Sequence, residues 1–248
     1  FVAAALALIN WLYGFFVLPE SLPLEHRSAV SWRKMNPLGS IRRLRAHPLV
    51  AGLAVAFIFS SLAQRGLENV WVLHAAYRYD WGPRTNGLTL ALVGIMAVLV
   101  QGFMIKPTIM RIGERRTILL GLTVSMLTFV GYGLASAGWV IPIIIILGAL
   151  AGVSLPAIQG LVAGTVSPSE QGKIQGGLTS LTSLTAIFAP LIFTGGLFSF
   201  FTSEAAPIHL PGAPFFLGAL LFGVSSLVLL RLFRRLPVNL DSNSQQAS

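Results

Sequence analysis

Cysteine is absent from the 248 residues, which excludes a disulfide framework, a thiolate metal site and a catalytic thiol. Charge is nearly as scarce. Asp, Glu, Lys and Arg together make up 10% of the chain, while 54% of it is hydrophobic, and a water-soluble domain does not carry that ratio. The four histidines, His26, His47, His74 and His209, stand on separate segments without the paired spacing that a metal site uses. No nucleophile elbow or acid pair occurs either. Neither an enzyme nor a metal or cofactor requirement is therefore expected.

What the chain does have is long apolar runs. Thr85–Ile105, Thr117–Ala135, Trp139–Gly164, Gly172–Phe201 and Ala213–Phe233 each meet or approach the roughly 20 residues that a helix needs to cross a bilayer core. Leu49–Gln64 is shorter, but apolar Val70–Leu73 and the lack of a Gly-Pro or Pro-Gly stop extend it through Arg65 to about Tyr77. Phe1–Leu18 is also apolar and ends at Pro19. It opens with Phe and lacks the basic start and small-residue cleavage site of a signal peptide, so it reads as a helix cut within its length, with further sequence upstream. The expected fold is all-α, a polytopic transmembrane helix bundle. Its parts are a partial helix over residues 1–18, a polar loop over 19–48, a six-helix bundle over 49–236 and a disordered tail over 237–248.

Positive charge sorts onto alternate connections. All of the 17 Lys and Arg residues except Arg65, Arg78 and Arg84 fall in residues 20–48, in Lys106–Arg116, at Lys173 or at the C-terminal end. The positive-inside bias places those connections and the C-terminus in the cytoplasm. That distribution accounts for the net charge of +9 without nucleic acid as a partner. The polar stretch Glu20–Pro48 reads as a linker between two bundles. Its Ser40–Ala46 is either a short interfacial helix meeting anionic headgroups or a plain solvated loop. The remaining connections are the short Trp81–Arg84, Ser136–Gly138, Thr165–Gln171 and Thr202–Gly212. A six-span bundle behind such a linker has the outline of half of a two-bundle transporter with substrate near the midplane.

Small residues recur every four positions at Gly148, Gly152, Pro156, Gly160 and Gly164, a ridge on which another helix backbone could approach closely. Pro142, Pro156 and Pro190 lie in or near spans and bend them. Glu68 is the one carboxylate embedded in a span, and Arg65 precedes it by three residues on the same face. The pair reads either as a proton-binding carboxylate tuned by its neighbour or as an ion pair at the outer helix end. Asn69, Trp71, Gln101, Ser125 and Gln159 are candidate contacts along a solute pathway, with packing against neighbouring helices as the alternative. In Lys106–Arg116, Gly113 allows a tight turn surrounded by Arg111, Glu114, Arg115 and Arg116. Those charges read as partners for a neighbouring helix end in one conformation, or as ordinary positive-inside anchors.

Several motifs carry a more specific likeness. They are Leu18-Pro19-Glu20-Ser21-Leu22-Pro23, Val70-Trp71-Val72-Leu73, Tyr77-Arg78-Tyr79-Asp80-Trp81, Gly113-Glu114-Arg115-Arg116, Leu155-Pro156-Ala157-Ile158-Gln159-Gly160 and Gln171-Gly172-Lys173-Ile174-Gln175-Gly176. With them the chain resembles the major facilitator superfamily and, within it, the tetracycline efflux group of drug–proton antiporters, over essentially all of residues 1–236. The resemblance implies a twelve-span fold in the bacterial inner membrane, of which this chain is the end of the sixth span plus the C-terminal half. It also implies export of a small amphipathic drug-like molecule, tetracycline included, in exchange for protons. The partners it implies are that small molecule, protons, the lipid bilayer and an N-terminal half. Two positions depart from the group: Ser125 stands where it carries an acid and Ala97 where it carries a histidine, while Gln101 keeps its glutamine. Ser125 does not exchange a proton near neutral pH, which leaves coupling to Glu68 or to the other half.

Two other readings compete. A seven-helix receptor has the same span count, although a retinal pump is excluded because Lys34, Lys106 and Lys173 all lie in connections. A transporter of a metabolite rather than a drug shares every feature above except the group-specific motifs.

Overall fold

The computed structural model describes residues 2–17, 48–165 and 168–235. The linker with its Ser40–Ala46 segment, the Leu18–Pro23 motif and the tail over 237–248 lie outside the described residues. All regular structure among the described residues is helical. Helix α1, Val2–Phe16, is apolar and exposed along most of its length, with the Trp11 and Phe15 rings stacked at 5.7 Å.

The bundle comprises α2 (Pro48–Tyr79), α3 (Pro83–Ile112), α4 (Glu114–Leu134), α5 (Val140–Gly164), α6 (residues 168–202) and α7 (Ala213–Arg235). All six are long and apolar enough to cross a membrane. The run beginning at Leu49 does continue past Gln64 as one helix to Tyr79. Helix α2 buries Leu53, Ala56, Phe57, Ala63 and Val70 between α7 and α6.

Lipid tails are as apolar as leucine, so close packing rather than hydrophobic transfer holds these helices together. Small residues at the crossings let it happen. A Cβ on Gly218 of α7 would collide with the Phe129 ring of α4, and one on Gly66 of α2 would collide with the Phe193 ring of α6. Ser60 Oγ donates to Ser225 Oγ at 3.2 Å, and Ser225 Oγ reaches the Ala56 carbonyl at 3.1 Å. Such a bond within a membrane contributes about 0.6 kcal/mol, enough to fix the register of α2 on α7 without driving their association.

Three helices are interrupted by irregular turns. Helix α3 widens into a π-helix at Val100–Met104, α6 does so at Pro190–Phe198, and α5 tightens into a 3₁₀-helix at Ala149–Val153. Each adjoins a proline: Pro107 comes after the first, Pro190 opens the second and Pro156 comes after the third. A proline clashes with the carbonyl four residues earlier, which is that of Phe103 in the π turn of α3 for Pro107 and that of Gly152 in the 3₁₀ turn of α5 for Pro156. The altered turn relieves the clash there. The π segment of α6 follows its proline, and that clash does not explain it.

The 3₁₀ turn also breaks the expected small-residue ridge. Four residues advance roughly 480° in a 3₁₀-helix instead of 400° in an α-helix, so Gly152 is rotated by about 80° from the position that an unbroken α-helix would give it relative to Gly148. Gly148 packs on Thr128, whereas nothing approaches Gly152, Gly160 or Gly164.

The two ends of the bundle differ in chemistry. At one end the Arg115 guanidinium lies 5.3 Å over the Phe233 ring, and Arg111, Arg231 and the helix-ending Arg234 and Arg235 cluster with it in sequence at the ends of α3 and α7. The connection expected over Lys106–Arg116 is much shorter than its composition suggests, because Ile105–Ile112 is helical and only Gly113 separates it from α4. Gly113 adopts φ 81° and ψ 160°, a region open to glycine alone. Its carbonyl accepts the Thr117 Oγ1 bond at 2.8 Å and the Thr117 N–H at 3.1 Å.

At the opposite end Arg78 Nε and Tyr79 Oη both donate to the Ala135 carbonyl, at 3.0 and 2.8 Å. A cation at the C-terminal end of α4 also favours its dipole. Tyr77 Oη is hydrogen-bonded to His209 Nε2, and His74 Nδ1 lies 3.2 Å from the Pro211 carbonyl, so the α6–α7 connection is fastened to the end of α2.

Candidate substrate cavity

A cavity of about 430 Å³ opens among α2, α3, α4, α5 and α7, within the roughly 300–1,000 Å³ of small-molecule sites. The π turn of α3 carries Gln101 to its edge, and the 3₁₀ turn of α5 contributes backbone and small side chains around Gly152. Gln64 enters from α2, and Ser125, Thr128 and Tyr132 come from one face of α4. The Phe129 and Phe222 rings, 5.0 Å apart and edge to face, form the apolar wall behind them.

The cavity brings together some of the residues singled out in the sequence and not others. Gln101 and Ser125 line it, as does Ala97. Ser125 is 3% exposed, and its Oγ donates to the Gly121 carbonyl at 2.8 Å. Trp71 stands behind the wall: it is buried in the core, edge to face with the cavity-lining Tyr132 at 5.4 Å and with Trp81 at 6.4 Å. The size and aromaticity that mark it as a pathway candidate also make it core packing that holds Tyr132. Gln159 is exposed on α5 outside the cavity lining.

Arg65 and Glu68 do meet. Arg65 Nη1 donates to Glu68 Oε2 at 2.8 Å, both side chains are roughly half exposed at 43% and 48%, and neither lines the cavity. Asn69 is turned back on its own helix, with Nδ2 donating to the Arg65 carbonyl at 2.8 Å. Arg111, Gly113, Glu114, Arg115 and Arg116 gather at the basic end of the bundle.

Gln64, Thr128, Ser154 and Tyr132 also line the cavity, although none of them stands out as a candidate in the sequence. Gln64 looks there like the end of an apolar run. The α4 residues carry a usable signal, because Gly121, Ser125, Thr128 and Tyr132 repeat at helical spacing within an otherwise aliphatic span.

A second cavity of about 440 Å³ lies between the first turns of α3 and α5, lined by Trp81, Thr85, Leu88, Thr89, Trp139 and Pro142 among others. Tryptophans at a helix end mark the membrane interface. Gly138 lets the Trp81 indole lie against the backbone there, since a Cβ on it would come within 2.7 Å of Trp81 Nε1.

Comparison with known proteins agrees with this architecture. The chain is 36% identical over 192 residues to the tetracycline resistance protein, class C, of Escherichia coli, a match that covers 77% of this chain and 48% of that protein. It is 26% identical over 269 residues to the human hippocampus abundant transcript 1 protein, covering 98% of this chain and 55% of that one. The crystal structure of the human organic anion transporter MFSD10 (TETRAN) superimposes with a TM-score of 0.70 at 23% identity, over 90% of this chain and 55% of that chain. The chain thus spans about half the length of the curated relatives it matches. Residues 53–248, which take in nearly the whole six-helix bundle and the C-terminal tail, match the sequence pattern of the Major Facilitator Superfamily. With six membrane-crossing helices around a cavity within the bundle, the chain is a multi-pass membrane protein that belongs to that superfamily.

Proposed function

We propose that this chain is the C-terminal half of a secondary active transporter that exports a small amphipathic, drug-like molecule in exchange for protons by alternating access. The observation that carries this reading is the cavity with Gln101 and Ser125 on its wall, open between helices whose remaining faces are unpacked. An N-terminal six-helix half would close over those faces, and rocking of one half against the other would expose the site to each side in turn. The similarity to tetracycline resistance proteins supports a drug-like solute. The arginine-rich end is taken as cytoplasmic by the positive-inside bias, in a bacterial inner membrane.

The test is flux in vesicles holding the full-length protein. An imposed proton gradient should drive uptake or release of a drug-like solute, and a panel of drugs showing no gradient-dependent movement overturns the reading. Glu68 is the proposed coupling carboxylate of this half, tuned by Arg65. Glu68→Gln is expected to lower gradient-driven flux sharply, because an amide does not take up and release the proton that an intramembrane carboxylate relays, while expression and the protein's elution volume stay normal. Unchanged flux removes Glu68 from the proton route and leaves coupling to the other half.

A further inference from the structure

The cavity has an unusual balance of hydrogen-bonding groups. Ser125, Thr128 and Ser154 line it, and each has already committed its hydrogen within its own helix. Ser125 Oγ donates to the Gly121 carbonyl at 2.8 Å, Thr128 Oγ1 to the Val124 carbonyl at 2.8 Å, and Ser154 Oγ to the Ala151 carbonyl at 2.9 Å. A hydroxyl whose hydrogen is engaged offers a ligand only oxygen lone pairs. The serine and threonine hydroxyls of α4 and α5 are therefore acceptors. Gln64 and Gln101 add one amide each at the α2 and α3 sides and Tyr132 adds a phenol on α4, all able to donate or accept.

No Asp, Glu, Lys, Arg or His is among the described residues that line the cavity. Glu68 is one residue beyond the lining Leu67 on α2, and its carboxylate is bonded to Arg65 instead. A charged group brought into such a space would lose its hydration without gaining a counter-charge, which is strongly unfavourable. A neutral donor meets no such penalty, because its hydrogen finds a ready lone pair. Behind the acceptors, the edge-to-face Phe129 and Phe222 rings suit an apolar ring, and Gly152, with open space around it, leaves room for it.

We propose that this half of the transporter holds an uncharged, hydrogen-bond-donating part of the solute, a ring or short chain bearing hydroxyl or amide N–H groups, and that any ionic group of the solute sits elsewhere. The proposal rests on the transport reading above for the identity of the cavity as the solute site. It adds that the chemistry selected here is donor-rich and neutral.

Because these 248 residues lack cysteine, Ala97→Cys in the full-length protein places a lone thiol within this bundle at a lining position whose side chain offers no hydrogen bond. Its alkylation by N-ethylmaleimide, read by mass spectrometry of the peptide carrying position 97, reports occupancy of the site. Chloramphenicol serves as the uncharged donor-bearing probe, ethidium as a permanent cation and salicylate as an anion. We expect chloramphenicol to slow alkylation at least about fivefold and the two ions, which gain no counter-charge here, to leave it unchanged. Adding Ser125→Asp is expected to bring protection by ethidium. Gly152→Cys, at a position with open space around it, repeats the measurement should Ala97→Cys fail to fold.

Protection by ethidium or salicylate with Ser125 in place overturns the proposal, and so does protection by none of the three. Proton-driven flux separates the two readings. Selective protection by chloramphenicol without gradient-driven flux of any drug upholds the neutral site and removes the antiporter reading, whereas driven flux together with protection by the ions does the reverse.

Discussion

Helices α2, α4 and α7 form a packed interior, while α3 and α6 are barely enclosed. Of the most apolar stretch of each helix, 56% of α2 is buried and 44% of α4 and of α7, against 11% of α3 and 22% of α6. The packed trio is regular throughout its length, and its crossings rest on glycines that admit an aromatic ring. The open pair contains both π segments. Regularity therefore goes with completed packing, and the π turns go with faces that this bundle leaves open. The difference also separates two kinds of glycine: those filled by a neighbour, such as Gly218, and those facing open space, such as Gly152 and Gly160.

Substitutions at those positions can break the comparison. Gly218→Leu is expected to have the largest effect, because the Phe129 ring occupies the space a side chain needs. Overpacking of this kind costs about 1–3 kcal/mol and sometimes more, and loss of a monodisperse peak in detergent size-exclusion chromatography would register it. Gly113→Ala forces a side chain onto a positive-φ backbone at about 1–3 kcal/mol. Thermal unfolding in detergent is expected to shift down, and transport to slow with solute affinity largely kept; a binding assay that finds affinity lost instead would reassign Gly113 to solute contact. Gly160→Leu should leave that unfolding temperature unchanged while reducing transport, since the space around Gly160 is open within this half. A destabilised Gly160→Leu protein would erase the distinction between filled and open glycines. Ser60→Ala is expected to destabilise by only about 0.6 kcal/mol, at the limit of detection in the same melt.

The spans are legible in the sequence because a bilayer demands one simple quantity, a length of apolar residues, and Pro83–Ile112 or Ala213–Arg235 cannot hide from that measure. The cavity is only partly legible. Gln101, Gln159 and Trp71 are comparable features in a hydrophobic span, yet one lines the cavity, one is exposed outside it and one is sealed in the core. What separates them is rotation about the helix axis, and the π and 3₁₀ turns reset that rotation midway along α3 and α5. The small-residue ridge fails for the same reason, since a four-residue repeat keeps one face only while the helix stays α. Gly113 shows the opposite case. A basic stretch around one glycine reads as an extended connection, and its charges conceal how far the helix continues.

The junction at Gly113 has a mechanical consequence. With one residue between the end of α3 and the start of α4, and its carbonyl gripped twice by Thr117, the two helices share a single articulated joint instead of a slack tether. The end of α3 at this surface is thereby held at a fixed short distance from the start of α4, so the most loosely enclosed helix of the bundle is moored to one of the most firmly seated.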